Sequence, residues 1–177
     1  MKVALAVAAL VLATAPSALA EKSAKSGSLK QSVVGSWSLV SDVIDQQDGS
    51  KLEPFGPNPK GAMILTSTGT FSLVITKPDI AKFASNNRTT GTEQENKAAV
   101  GGSIAYFGSY TVDEATKTVN LHLDGSTFPN WVGNDQKRIA EVSGDQLRWK
   151  NPTTSLGSGA ATLTWRRVKG SAQPASA

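Results

Sequence analysis

The chain has 177 residues and a formal net charge of +4, with no cysteine and a single histidine. The lack of cysteine excludes disulfide bonds and lipid anchoring through cysteine, and one histidine without metal-ligand spacing excludes a conventional zinc site. The Lys and Arg residues are scattered and lack the basic stripe with interleaved aromatic residues that binds nucleic acid, so no nucleic-acid partner, metal or cofactor is predicted.

The first twenty residues have the three-part layout of a secretory signal peptide. Met1-Lys2 supplies a positive charge, Val3 to Ala13 is apolar, and Ala18-Leu19-Ala20 supplies the small residues of a cleavage site. The apolar run is shorter than the roughly 20 residues needed to span a bilayer. We predict a signal peptide over residues 1–20, and therefore an exported protein, periplasmic or secreted, without an integral membrane segment after cleavage.

The rest of the chain divides into a lead, one domain and a tail. Residues 21–32 are rich in Lys, Ser and Gly, which predicts a disordered lead, and residues 170–177 predict a disordered tail. Residues 33–169 contain eight strand-like segments with short turns, a pattern typical of an up-and-down barrel or a sandwich. The segments are Val34–Ile44, Ala62–Thr66, Thr70–Thr76, Ile104–Val112, Thr118–Leu123, Arg138–Val142, Gln146–Lys150 and Ala161–Val168.

The connection from Lys77 to Gly102 is too long for a simple hairpin loop. Pro78 is suited to the first turn of a short helix. Thr92 and Glu95 have the spacing of a capping box, which predicts a second helix ending at Gly101-Gly102. We expect one or two short helices here that cover one mouth of the barrel, with packing on the outer wall as the alternative.

Both ends of the domain resemble lipocalins. In those proteins a Gly-x-Trp on the first strand places an indole across the closed end of the barrel, and an arginine of the last strand covers it. Gly35 and Trp37 match the first part of this pattern, and Arg166 or Arg167 matches the second. The resemblance implies that these residues close one end of the barrel.

The middle of the chain resembles the bacterial and fungal lipocalin-like domain family. The similar segments are Pro54–Gly61, Ile104–Tyr110, Phe128–Gly133 and Gln136–Arg138, and the resemblance extends from Val33 to Arg167. It implies an all-β fold, an eight-stranded antiparallel calycin-type barrel. Some such barrels act as isomerases or cyclases and others only bind ligands, so the fold does not choose a function.

His122 is the one side chain that titrates near neutrality. Alternation along its strand places it opposite the apolar face of Val119, Leu121 and Leu123, so it is expected to point outward, with a site histidine as the alternative. Tyr106 and Tyr110 share strand parity and are expected to project to the same side.

The candidate ligand contacts are aromatic or polar residues on stiff loops or at strand positions. They are Phe55, Asn58, Tyr106, Tyr110, Asn130, Trp131 and Arg138. Arg138 could meet a ligand carboxylate. Small residues at Ala105, Gly108, Ala140 and Ala161, where a solid core would need large ones, predict a cavity inside the barrel.

Two classes of function remain open. The first is binding of a small apolar or amphipathic molecule in the barrel. The second is a cofactor-free isomerase, cyclase or lyase in which His122 and Tyr106 serve as acid and base. The sequence makes no prediction about the oligomeric state.

Overall fold

The structure, a computed structural model, describes residues 27–156 and 159–170. Its antiparallel strands form one sheet that closes into a barrel where the first strand pairs with the last. The elements are α1 (Leu29–Val33), β1 (Gly35–Asp45), β2 (Lys51–Leu52), β3 (Lys60–Leu65), β4 (Thr70–Thr76), α2 (Glu93–Gly101), β5 (Ser103–Asp113), β6 (Thr118–Ser126), a 3-10 helix (Pro129–Trp131), β7 (Asp135–Ser143), β8 (Gln146–Asn151) and β9 (Ala160–Arg167).

The predicted eight-stranded antiparallel barrel is confirmed. Each of the eight predicted segments overlaps one long strand, and β2 is a two-residue addition that pairs with the far end of β1. The strands form this barrel because apolar residues recur at every second position along them. In β4, for example, Phe71, Leu73 and Ile75 are buried while the residues between them are exposed. Successive side chains of a strand point to opposite faces, so these patterns place one continuous core inside the barrel.

Of the one or two short helices expected in this connection, the one at the capping box forms. Thr92 and Glu95 make the capping box, with Glu95 N–H donating to Thr92 Oγ1 (3.2 Å) and Thr92 N–H donating to Glu95 Oε2 (2.7 Å). The helix predicted at Pro78 is wrong, because residues 77–92 form turns instead. Asn86 adopts a left-handed conformation (φ 51°), which a continuing helix does not allow. Among the described residues, no helix is long and apolar enough to cross a membrane.

The predicted disordered lead requires a correction at its C-terminal end. Residues 29–32 belong to α1, whose Leu29 and Val33 are buried against the barrel. The carboxylate of Glu114, on the β5–β6 turn, accepts hydrogen bonds from the backbone N–H groups of Leu29 (2.9 Å) and Lys30 (2.8 Å). These bonds lower the pKa of Glu114. The signal peptide, residues 21–26 and the tail beyond Gly170 lie outside the described residues.

The end of the barrel beside α1 is closed by Trp37 and Arg167. The Trp37 side chain is only 1% exposed, and its indole N–H donates to the Val33 carbonyl (2.8 Å). The Arg167 guanidinium lies 4.1 Å from the centre of the Trp37 ring and donates to the carbonyls of Val34 (2.8 Å) and Ser32 (2.6 Å). Of the two arginines considered for this position, Arg167 therefore occupies it, and Arg166 is exposed on the outer wall.

Gly35 is required at this closed end for two reasons. Its φ of +137° is a conformation that residues with a side chain rarely adopt. A Cβ at this position would also lie 2.7 Å from Arg167 Nη1. The glycine thus allows the guanidinium to reach across the start of β1.

Candidate functional site

A cavity of about 220 Å³ opens at the end of the barrel opposite α1. Its walls come from the mouth ends of β1, β4, β5, β8 and β9, and from the loops at Phe55, Trp131 and Leu156. Val100 and Gly101, at the C-terminal end of α2, border it as well. The helix therefore flanks the mouth, and its capping box fixes where the helix begins.

One side of the cavity is aromatic. The rings of Tyr106 and Trp131 are 5.4 Å apart at 90°, and those of Phe128 and Trp131 are 5.6 Å apart at 80°. All three line the cavity together with Phe55. Edge-to-face contacts of this kind hold aromatic rings in a defined orientation. Three of the predicted contacts, Phe55, Tyr106 and Trp131, thus line the same cavity.

The inner wall carries two buried polar side chains that sequence reasoning missed. Asp42 on β1 is 7% exposed and Asn151 on β8 is 9% exposed, and both line the cavity. Burial raises the pKa of the Asp42 carboxyl from 3.8 to about 6. Loss of hydration disfavours the charged form of a carboxyl group, which is the physical cause of this shift.

Asp42 faces inward because β1 contains an irregularity. Trp37 and Leu39 point into the barrel, so strict alternation would put Asp42 on the outer face. The pairing of β1 with β9 shifts between Leu39 and Ser41, where one extra residue is accommodated. Such a bulge reverses the faces of all later residues. In the sequence, the sign that Asp42 faces inward was Ile44, an apolar residue on the same face of β1 as Asp42.

Arg138 is buried inside the barrel but does not line the cavity. It is 1% exposed, and its guanidinium donates to the Lys137 carbonyl (2.9 Å) and to the Gln136 side-chain carbonyl. Its Nε–H has no partner among the described residues. Because Arg138 does not line the cavity, the structure does not support the predicted contact between Arg138 and a ligand carboxylate.

The structure does not bring His122 and Tyr106 together. His122 lies on the outer wall with its side chain 51% exposed, and its Nδ1 is 2.7 Å from a carboxylate oxygen of Asp135. Tyr106 lies inside the barrel, 5% exposed. The predicted acid–base pair is thus separated by the barrel wall. Among the described residues no cluster of His, Asp and Glu is arranged to hold a metal ion.

Three other predicted contacts lie away from the cavity. Tyr110 is buried toward the closed end, where its hydroxyl donates to the Thr66 carbonyl (2.6 Å) and burial raises its pKa. Asn58 and Asn130 are exposed, and the backbone carbonyl of Asn130 accepts a hydrogen bond from the Asn134 side chain (2.8 Å). The two asparagines therefore belong to loops beside the mouth, outside the cavity lining.

The four small residues also have different roles. Only Ala161 lines the cavity. Ala140 is part of the packed core, and Ala105 borders a groove on the outer wall. Gly108 is needed because a Cβ there would lie 1.9 Å from the His122 carbonyl oxygen, at a second irregularity between β5 and β6.

Two known proteins and one family model are similar to this chain. The chain is 28% identical over 106 residues to the 4'-hydroxy-3'-methoxypropiophenone carrier protein of Aspergillus oryzae, which covers 55% of this chain and 96% of that protein. Among solved structures, a mutant of the fluorescent protein UnaG has a TM-score of 0.38 and 10% identity, covering 79% of this chain and 99% of the other. That structural similarity is too low to support an inference. The family model for the lipocalin-like domain matches residues 34–168. The chain therefore belongs to the lipocalin-like domain family.

Proposed function

We propose that this protein binds a small aromatic molecule, of about one substituted ring, in the cavity at the open end of its barrel. The observation that carries the proposal is the cavity itself, with Tyr106, Phe128 and Trp131 oriented along one side. A cavity of roughly 150 Å³ is enough to hold benzene. The space of about 220 Å³ suits one ring with small substituents.

The relative from Aspergillus oryzae supports this class of ligand. Its name describes a carrier of a propiophenone, a single aromatic ring with small substituents. That molecule matches the size and the aromatic lining of the cavity. We propose binding in preference to catalysis because the expected acid–base pair, His122 and Tyr106, lies on opposite sides of the barrel wall.

Titration with propiophenone tests the proposal, with isothermal calorimetry as the measurement. We expect saturable binding at one site per chain. Trp131→Ala should weaken binding at least about tenfold, because it removes a large ring from the cavity wall. Both proteins should unfold cooperatively in urea, since a loosened barrel also takes up apolar molecules.

Phe107→Ala is the matched control. Phe107 is also aromatic, but it is 55% exposed on the outer wall, so its loss should leave the affinity unchanged. If Phe107→Ala weakens binding as much as Trp131→Ala does, the ligand sits on the outer wall. If natively folded wild-type protein binds no propiophenone or similar single-ring compound, the proposed function is wrong.

We also propose that the protein is exported. The support is the layout of residues 1–20, and above all the small residues Ala18-Leu19-Ala20. In the native host, intact-mass analysis should find a chain that begins at Glu21 in the periplasm or the medium. Ala18→Lys should leave the precursor uncleaved. Full-length wild-type chain in the cytoplasm would contradict the proposal.

A further inference from the structure

Two acceptor atoms in the cavity wall have no hydrogen-bond partner within residues 27–156 and 159–170. The Oδ1 atoms of Asp42 and Asn151 are buried, and neither receives a hydrogen bond from the described residues. Buried acceptors are nearly always satisfied in folded proteins, because an unmade hydrogen bond leaves the loss of hydration uncompensated. Two such atoms on the wall of one cavity point to a donor that arrives from outside the chain.

The strand register places the two side chains on either side of β9. Asp42 is paired with Leu163, and Asn151 is paired with Ala161. Both β9 residues line the same cavity, and the small side chain of Ala161 leaves space between the polar groups. A molecule seated on this part of β9 would therefore reach Asp42 on one side and Asn151 on the other.

The part of the chain that the structure describes supplies no counter-ion to Asp42. No salt bridge within 4 Å reaches this carboxylate from any described residue. The buried guanidinium of Arg138 is instead directed to the oxygens of Gln136 and Lys137. An ionised carboxylate can only accept hydrogen bonds, so it favours a ligand group that donates one.

We propose that the cavity selects aromatic ligands that carry a hydrogen-bond donor, with a phenolic hydroxyl as the fitting group, Asp42 as its principal acceptor and Asn151 as the second. This inference rests on the proposed function and specifies the ligand class. Burial raises the pKa of the Asp42 carboxyl to about 6, so at pH 7 it is mainly the charged acceptor. Hydrogen bonds to charged groups are the stronger ones, which makes selection by Asp42 effective.

The test compares 4-ethylphenol with 4-ethyltoluene and 4-ethylanisole by calorimetry at pH 7. The three compounds share one ring and one ethyl group, and only the phenol donates a hydrogen bond. We expect the wild-type protein to bind 4-ethylphenol at least about tenfold more tightly than the other two. Asp42→Leu should remove this preference while retaining binding of 4-ethyltoluene. Asn151→Leu should reduce the preference in part.

Two further variants serve as a control for this test and as a substitute for the leucine variant. Asp124→Leu is the matched control, since Asp124 is an exposed carboxylate on the outer wall and its loss should leave the preference unchanged. Asp42→Asn retains one acceptor oxygen without the charge, so it should show an intermediate preference. It also provides a readout in a side chain of nearly the same shape if the leucine variant does not fold.

The possible outcomes separate the two proposals. Equal affinity of the wild-type protein for all three compounds overturns donor selection, for example because a bound water satisfies Asp42, and leaves the binding function intact. Binding of none of them contradicts the binding function itself. Tighter binding of 4-ethylbenzoate than of 4-ethylphenol also overturns the inference, because a buried cation such as Arg138 would then be the selecting group.

Discussion

Replacing Trp37 with alanine is expected to lower the free energy of unfolding by about 3–5 kcal/mol. The indole is almost fully buried at the closed end, and its N–H donates to the Val33 carbonyl. Truncation leaves a void under Arg167 and removes the ring on which that guanidinium lies. Urea unfolding followed by far-ultraviolet circular dichroism measures the loss. A loss below about 1 kcal/mol would show that the barrel end does not depend on Trp37.

The two neighbouring arginines provide a matched pair for the same site. Arg167→Ala removes the contact with Trp37 and two hydrogen bonds to backbone carbonyls, so we expect a loss of about 2–3 kcal/mol. Arg166 is exposed, and Arg166→Ala should change stability by less than about 0.5 kcal/mol. Because Trp37 and Arg167 are in contact, the double variant should lose less than the sum of the single losses.

Replacing Asp42 with asparagine is expected to raise the free energy of unfolding at pH 7 by about 2–3 kcal/mol. The pKa of this carboxyl is about 6 in the folded chain and 3.8 without burial. A difference of one pKa unit corresponds to about 1.4 kcal/mol. The folded state therefore carries a buried charge at neutral pH that the asparagine variant lacks.

The pH dependence follows from the raised pKa. Below pH 3.8 the Asp42 carboxyl is protonated in both the folded and the unfolded chain, so it does not lower the free energy of unfolding. Between pH 3.8 and about 6 the folded chain binds more protons than the unfolded chain, so stability falls as the pH rises, and the full cost applies above that window. The advantage of Asp42→Asn should accordingly shrink to less than about 1 kcal/mol at pH 4.

The exposed carboxylate on the same strand supplies the control for Asp42. Asp45 forms a surface ion pair with Lys51 (3.2 Å), so Asp45→Asn should change stability by less than about 1 kcal/mol. Arg138 is the other charged side chain buried inside the described part of the barrel, and no salt bridge joins it to Asp42. Equal pH profiles of the wild type and Asp42→Asn would show that Asp42 is not desolvated.

An unpaired carboxylate that lowers stability is typical of a functional position. Strongly perturbed ionisable groups concentrate in binding and catalytic clefts, because such sites retain groups that packing alone would not favour. Most of the buried side chains of this barrel are apolar, and Asp42 occurs where the cavity begins. The expected gain in stability on its neutralisation and the expected loss of ligand preference are therefore two readouts of one site.

The sequence by itself determined the barrel and the neighbourhood of its mouth. Alternating apolar residues define the eight strands, because a strand exposes every second side chain to the same face whatever its neighbours are. The capping box at Thr92 is equally local, since its partners are three residues apart. Phe55 and Trp131, two of the candidate contacts on the Pro- and Gly-rich loops, line the cavity.

Only the tertiary structure decided which polar side chains enter the cavity. The bulge after Leu39 arises from the pairing of β1 with β9, which lie more than a hundred residues apart in the chain, and it turns Asp42 inward. The separate pairing of β8 with β9 places Asn151 beside Ala161. The pairing of β1 with β9 sets Arg167 opposite Trp37, and the Arg167 guanidinium rather than that of Arg166 takes the closing position. Strand register depends on contacts across the whole sheet, so the periodicity within any single strand cannot determine it.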